Sequence, residues 1–216
     1  MTGTVAAPPV TRVAAASLAL RHAGPDALVE WEPVDGPRFP NGAVADDGPT
    51  SGRPVARCNP GHLPGRLSAR RWWDPTCPVD AVAPTVARRF VTSLDPIALP
   101  ARPEDLIGWG PGRTPAGDDV VVGLLIGLRA AGRTDLATEL ALATATADTA
   151  PFSRALLDHA ARGEAAGPIL QLVRALGGHR PLAPAVAALD GFGATSGRHL
   201  LDGIRRAIEP TIGAQP

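Results

Sequence analysis

The sequence predicts an α+β protein. A small β-rich N-terminal lobe (residues 1–78) precedes a mainly α-helical bundle (residues 79–216) built around one buried central helix. Three observations carry this expectation. From Gly24 to Pro78, short apolar pieces alternate with Gly, Pro, Asn and Asp clusters, the punctuation of strands and turns. From Val79 onward, apolar residues recur at helical spacing. The run Val120–Leu128 is apolar on nearly every face, as a helix at the centre of a bundle must be.

Residues 1–10 read as a loose tail, and residues 11–22 as a short helix or a strand. The strand pieces are Ala27–Trp31, Gly42–Ala45, Pro54–Arg57 and Gly65–Ala69, with turns at Val34-Asp-Gly36 and Asp46-Asp-Gly48. Trp72 and Trp73, followed by Asp74-Pro75, end the lobe as buried aromatics. Val82, Val86, Phe90 and Leu94 stand four apart and predict a helix over 79–94, stopped by Pro96 and Pro100. The central helix spans 118–131 with Asp118 as its N-cap, and Gly123 and Gly127, four apart, predict a close helix contact. Further helices are expected over 134–147, from Pro151 to before Gly163, over 167–176, over 181–190, and over 196–208 with Thr195 or Ser196 as cap.

Composition narrows the class of function. The 216 residues are 44% hydrophobic and 19% charged, enough for a real core. The 21 basic and 21 acidic side chains cancel, which argues against a dedicated nucleic-acid binder. Cys58 and Cys77 show no CxxC spacing and read as ordinary reduced thiols. The N-terminus has no basic stretch leading into an apolar core, so no secretory signal is expected. Val120–Leu128 falls short of the roughly 20 residues that span a bilayer. The expectation is a cytoplasmic protein.

Chemistry points to Gly108-Trp-Gly-Pro-Gly-Arg-Thr-Pro-Ala-Gly-Asp-Asp119, where four glycines and two prolines lead onto the central helix. Neither a dinucleotide fingerprint nor a Walker loop fits, because the glycine spacing is wrong and no Gly-Lys-Ser/Thr follows. Two readings stand: a tight loop with an Asp cap, or an anion site. In the second, Gly110, Gly112, Thr114 and Gly117 supply backbone and hydroxyl donors at a helix start. Asp118 and Asp119 then serve as acid/base groups, as a clamp on an amide, or as ligands of a divalent metal; no cofactor is otherwise evident. Gly191-Phe-Gly-Ala-Thr-Ser-Gly-Arg-His199 has a similar build, with Thr195, Ser196 and Gly197 as a second anion contact and His199 as a candidate general acid. Ser153 heads another helix as a third anion-binding candidate. His159, six residues on, does not share its face, and His22, His62 and His179 lack zinc-ligand spacing.

These residues carry a resemblance. Gly110-Pro-Gly-Arg-Thr-Pro-Ala-Gly-Asp-Asp119 with Gly123 resembles the pattern GPGxTPSGDDxxxG of the AllH-like family. Thr149-x-x-x-Ser153, Ala160-Ala-Arg-Gly-Glu164, Thr195-Ser-Gly197 and Trp73-Asp-Pro75 fit the same family. The resemblance covers roughly residues 70–205. It implies a subunit of oxamate carbamoyltransferase, which moves a carbamoyl group between oxalurate and phosphate to give oxamate and carbamoyl phosphate, in the company of other subunits. It also implies a small anionic substrate, a homo- or hetero-oligomer, and neither nucleic acid nor membrane as partner. Three positions depart from the pattern: Ala116 stands for Ser, Ala194 for His, and His199 for an acidic residue. The rival expectations are a non-catalytic assembly subunit and a stand-alone enzyme of specialised metabolism.

Overall fold

A computed structural model describes residues 13–17, 30–31, 38–40, 42–45, 69–100 and 102–212. The chain divides into two compact units, Met1–Pro75 and Thr76–Pro216. In the first, four strands are described: β1 (Val13–Ser17), β2 (Glu30–Trp31), β3 (Gly42–Ala45) and β4 (Ala69–Trp73). Their order is β2-β3-β1-β4. β1 runs antiparallel to β3 and parallel to β4, and β2 runs parallel to β3. The turns at Val34–Gly36 and Asp46–Gly48, the Pro54–Arg57 piece, Cys58, His22 and His62 lie outside the described residues.

In the second unit, seven α-helices are described: α1 (Pro84–Thr92), α2 (Ala116–Ala130), α3 (Thr134–Thr144), α4 (Pro151–Ala161), α5 (Gly167–Leu176), α6 (Leu182–Asp190) and α7 (Ser196–Ile212). A short 3-10 turn, Pro103–Asp105, precedes α2. The expected α+β class with a β-rich lobe is thereby corrected. The described architecture is helical, and the strands before it are only two to five residues long. Gly, Pro, Asn and Asp clusters in a sequence signal turns. They do not say that the pieces between them are long enough to build a lobe of strands.

Helix α2 is the core of its unit. Val120, Val121, Leu125 and Ile126 are fully enclosed, and Phe90, Leu172, Val173, Leu176, Leu189, Ile204 and Ile208 are other large side chains fully enclosed in this unit. Its chief neighbour is α7, with α4 and α3 also packed on it. The α2–α7 seam is a backbone contact. A Cβ on Gly123 would stand 2.4 Å from the Leu200 carbonyl oxygen, and one on Gly203 would stand 2.2 Å from that of Val120. On Gly127 it would meet the Ala207 methyl at 2.7 Å. The four-residue glycine spacing thus has the meaning its sequence suggests, a close approach of two helices. Deep in α7, Asp202 binds Arg205 (3.2 Å) and Arg206 (2.6 Å), and Arg206 also donates to the Ile97 carbonyl, which ties the segment after α1 to this helix.

Among the described residues, no helix is long and apolar enough to cross a membrane.

Candidate functional site

The loop from Gly108 to Pro115 is shaped by glycine conformations that other residues rarely adopt: φ is +101° at Gly110 and +111° at Gly112. It folds back on itself, with the Gly117 N–H donating to the Trp109 carbonyl at 2.9 Å. Helix α2 then begins after Pro115, which has no side-chain cap. Asp118 is therefore not the N-cap expected from the sequence. It lies inside the first turn, and its carboxylate reaches backwards and sideways. Oδ1 accepts from the Gly108 N–H at 2.7 Å. Oδ2 accepts from the Ser153 hydroxyl at 2.5 Å and from the Thr149 hydroxyl. Asp118 is buried, and three protein donors from two other segments occupy it.

Asp119 is in the opposite situation. It is 4% exposed, and its Oδ2 is buried with no hydrogen-bond partner among the described residues. Burial drives its carboxyl up to about 7 from an ordinary 3.8. Hydrogen bonds from Ser196 and Thr114 pull the other way, and the neighbouring Asp118 charge adds to the rise. Ser196 opens α7 and Thr114 belongs to the α2 loop, yet their hydroxyl oxygens are 3.0 Å apart. The two glycine-rich helix starts, bridged by hydroxyls of residues 82 positions apart in the chain, therefore meet beside one buried carboxyl.

The other sequence-predicted residues fall into two groups. Gly117 and Gly197 are packing positions. A Cβ would lie 1.9 Å from the Leu106 carbonyl oxygen at the first and 1.8 Å from that of Leu189 at the second. Their N–H groups already donate to the carbonyls of Trp109 and Phe192. Gly110 and Gly112 lie in the exposed part of the loop. Ser153 serves Asp118, as described. Thr195 is exposed, and its carbonyl accepts from Nδ1 of His199 at 2.9 Å, so this histidine bonds within its own helical turn and not into the carboxyl cluster.

Two further residues belong to this region. Thr149 binds Asp118, and its place in the Thr149-x-x-x-Ser153 motif was the signal for it. Arg113, the one cation of the Gly108–Asp119 stretch, stacks its guanidinium 3.8 Å from the centre of the Phe152 ring on α4. This brings positive charge to the loop.

The Ala160–Glu164 motif builds a separate clamp. His159 Nδ1 lies 2.6 Å from Glu164, and Arg162 lies 3.3 Å from the same oxygen. Burial works to raise the Glu164 carboxyl, but His159 and Arg162 outweigh it and hold it below its usual range. Gly163 accepts from the Cys77 N–H at 2.7 Å, and the Cys77 thiol is pushed up to about 12 by burial, against a smaller opposing effect of Arg129. Such a thiol stays protonated and is no nucleophile.

For metal binding, Asp118 has both oxygens engaged by the protein. Among the described residues, no group of three or more His, Cys, Asp or Glu side chains is arranged to hold an ion.

Residues 106–208 match the family model described as oxamate carbamoyltransferase subunit AllH. The resemblance read from the motifs holds over this stretch, which contains both glycine-rich loops and α4, and begins after the Trp73-Asp-Pro75 piece. No curated protein and no solved structure matches the chain.

Proposed function

We propose, taking the match of residues 106–208 to the AllH family as the premise, that the chain acts on a small anionic amide within a carbamoyltransferase. The reaction is the transfer of a carbamoyl group between oxalurate and phosphate. A hydrogenphosphate oxygen attacks the carbamoyl carbon of oxalurate, the C–N bond breaks, and the phosphate proton passes to the departing nitrogen. Oxamate and carbamoyl phosphate result. Such chemistry needs no covalent intermediate on the protein; positioning and stabilisation of the tetrahedral oxyanion suffice.

The observation that carries this reading is the convergence of Thr114 and Ser196 on the buried Asp119, between two helix starts. Anions are favoured at such helix starts, and Arg113 adds positive charge at the exposed loop of Gly110 and Gly112. In this reading Asp119, Thr114 and Ser196 touch the substrate. Asp118, with Thr149 and Ser153, holds the loop in place, and His199 has no part in the chemistry. The family description speaks of a subunit, so the working form is a multi-subunit complex. A cytoplasmic location belongs to the same proposal and agrees with the free Cys77.

The test is calorimetric titration of the full chain with oxalurate, carbamoyl phosphate and inorganic phosphate. Saturable binding is expected, and that of oxalurate and carbamoyl phosphate weakens about tenfold or more in Asp119→Asn, as for loss of a hydrogen bond to a charged group. Absence of binding by all three, alongside a stable complex with the other carbamoyltransferase subunits, would instead make this chain an assembly subunit without catalysis. That second reading rests on the word subunit in the family description.

A further inference from the structure

We propose that Oδ2 of Asp119 is the acceptor that recognises the –NH2 of a carbamoyl group, so that the site selects carbamoyl over other acyl phosphates. The inference rests on the carbamoyl-transfer reading above and gives that site its specificity element.

Asp119 is 4% exposed, and its Oδ2 has neither solvent nor protein partner among the described residues. A buried carboxylate oxygen without a donor is costly, so a donor from outside the chain is strongly favoured there. The nearby hydroxyls have none to give. Thr114 and Ser196 own two O–H protons between them; their mutual 3.0 Å contact holds one of these, which leaves one for Asp119. The cluster therefore holds more acceptors than donors, and a ligand has to bring an N–H or O–H of its own. A primary ammonium carries three donors and would leave two unmatched at the one free oxygen. A planar –NH2 needs fewer partners, and it is the group that oxalurate and carbamoyl phosphate have in common. Their anionic ends differ, and for these the exposed loop of Gly110 and Gly112 and the Arg113 guanidinium are at hand.

The test compares carbamoyl phosphate with acetyl phosphate, in which a methyl group replaces –NH2, by calorimetry on the full chain. Carbamoyl phosphate is expected to bind about tenfold tighter or more. The preference should also grow as pH rises through about 7, because the ionised Asp119 carboxylate is a stronger acceptor of an N–H than the protonated carboxyl. The two acyl phosphates titrate alike, so their ratio isolates the protein group. Asp118 is the titratable neighbour that acts on Asp119. In Asp119→Ala the ratio should fall to about one while inorganic phosphate still binds. The wild-type comparison needs no variant and stands even if Asp119→Ala fails to fold. Equal affinity for the two acyl phosphates, with phosphate and oxalurate still bound, overturns the –NH2 contact and leaves the anion site intact. A preference that shrinks with rising pH overturns it too, since Asp119 would then be donating a proton. If none of the ligands binds, the carbamoyl-transfer reading fails and this inference fails with it.

Discussion

Two adjacent residues of one type have been given opposite surroundings. Asp118 accepts three hydrogen bonds, whereas Asp119 keeps one oxygen buried and unmatched. Removing the Asp118 charge should therefore cost stability: Asp118→Asn is expected to lower unfolding free energy by about 2–3 kcal/mol in urea titrations, because two hydroxyls and an N–H lose a charged acceptor. Asp119 should act in the reverse sense. Its folded-state value is about 7 against 3.8 for the free side chain, so between these pH values the folded protein holds the extra proton. Stability contributed at this site is present below about 3.8 and is lost as pH rises towards 7, by at most about 4 kcal/mol. Asp119→Asn removes the effect. Its stability relative to wild type should rise over that window and level off above it, as measured by unfolding at a series of pH values. A flat difference would show that Asp119 ionises like a surface carboxylate. The double aspartate was legible in the sequence as a place of interest, but its division of labour was not. Consecutive helix positions point in different directions, and their partners (Thr149 and Ser153 for one, Thr114 and Ser196 for the other) come from segments that only the fold brings near.

At the level of elements, the helices were the readable part. The stripe Val82, Val86, Phe90 and Leu94 marks a helix that forms over the shorter span Pro84–Thr92, Pro151 is the first residue of α4, and Gly177 follows the end of α5. Less readable was what each glycine is for. Gly117 and Gly197 look like phosphate-loop glycines, yet each is a point where a helix start meets a carbonyl of another segment. Alanine there should be poorly tolerated: Gly197→Ala is expected to destabilise by about 2–3 kcal/mol, since the backbone oxygen of Leu189 must move. The α2–α7 seam makes a parallel prediction. Gly123→Ala should destabilise by a similar amount, as read by thermal and urea unfolding. Ala116 sits beneath Gly110, whose added Cβ would come 3.2 Å from the Ala116 methyl, so the small residue suits the tight loop above it.

For the molecule as a whole, Thr76–Pro216 is a compact unit with a hydrophobic core of its own, drawn from Cys77 to Ile208. Residues 76–216 expressed alone should therefore give a helical circular-dichroism spectrum and a single cooperative unfolding transition. A broad, non-cooperative melt would mean that the first unit is needed for folding. The fold class is not legible at this scale because turn-forming residues are informative about interruptions alone. The four described strands are too short for their alternation to identify them.

The glycine seam between α2 and α7 has a bearing on how such a site can change. Asp119 rides on the first of these helices and Ser196 begins the second, so their separation is set by main-chain atoms already in contact. Side chains can be trimmed or enlarged over generations, but a backbone stop has no shorter setting. The width of the site is a fixed gauge inherited from the helix pair. New substrate preferences would then have to be written in the few positions that face the gauge, such as Thr114 and Ser196, and not in the frame that holds them.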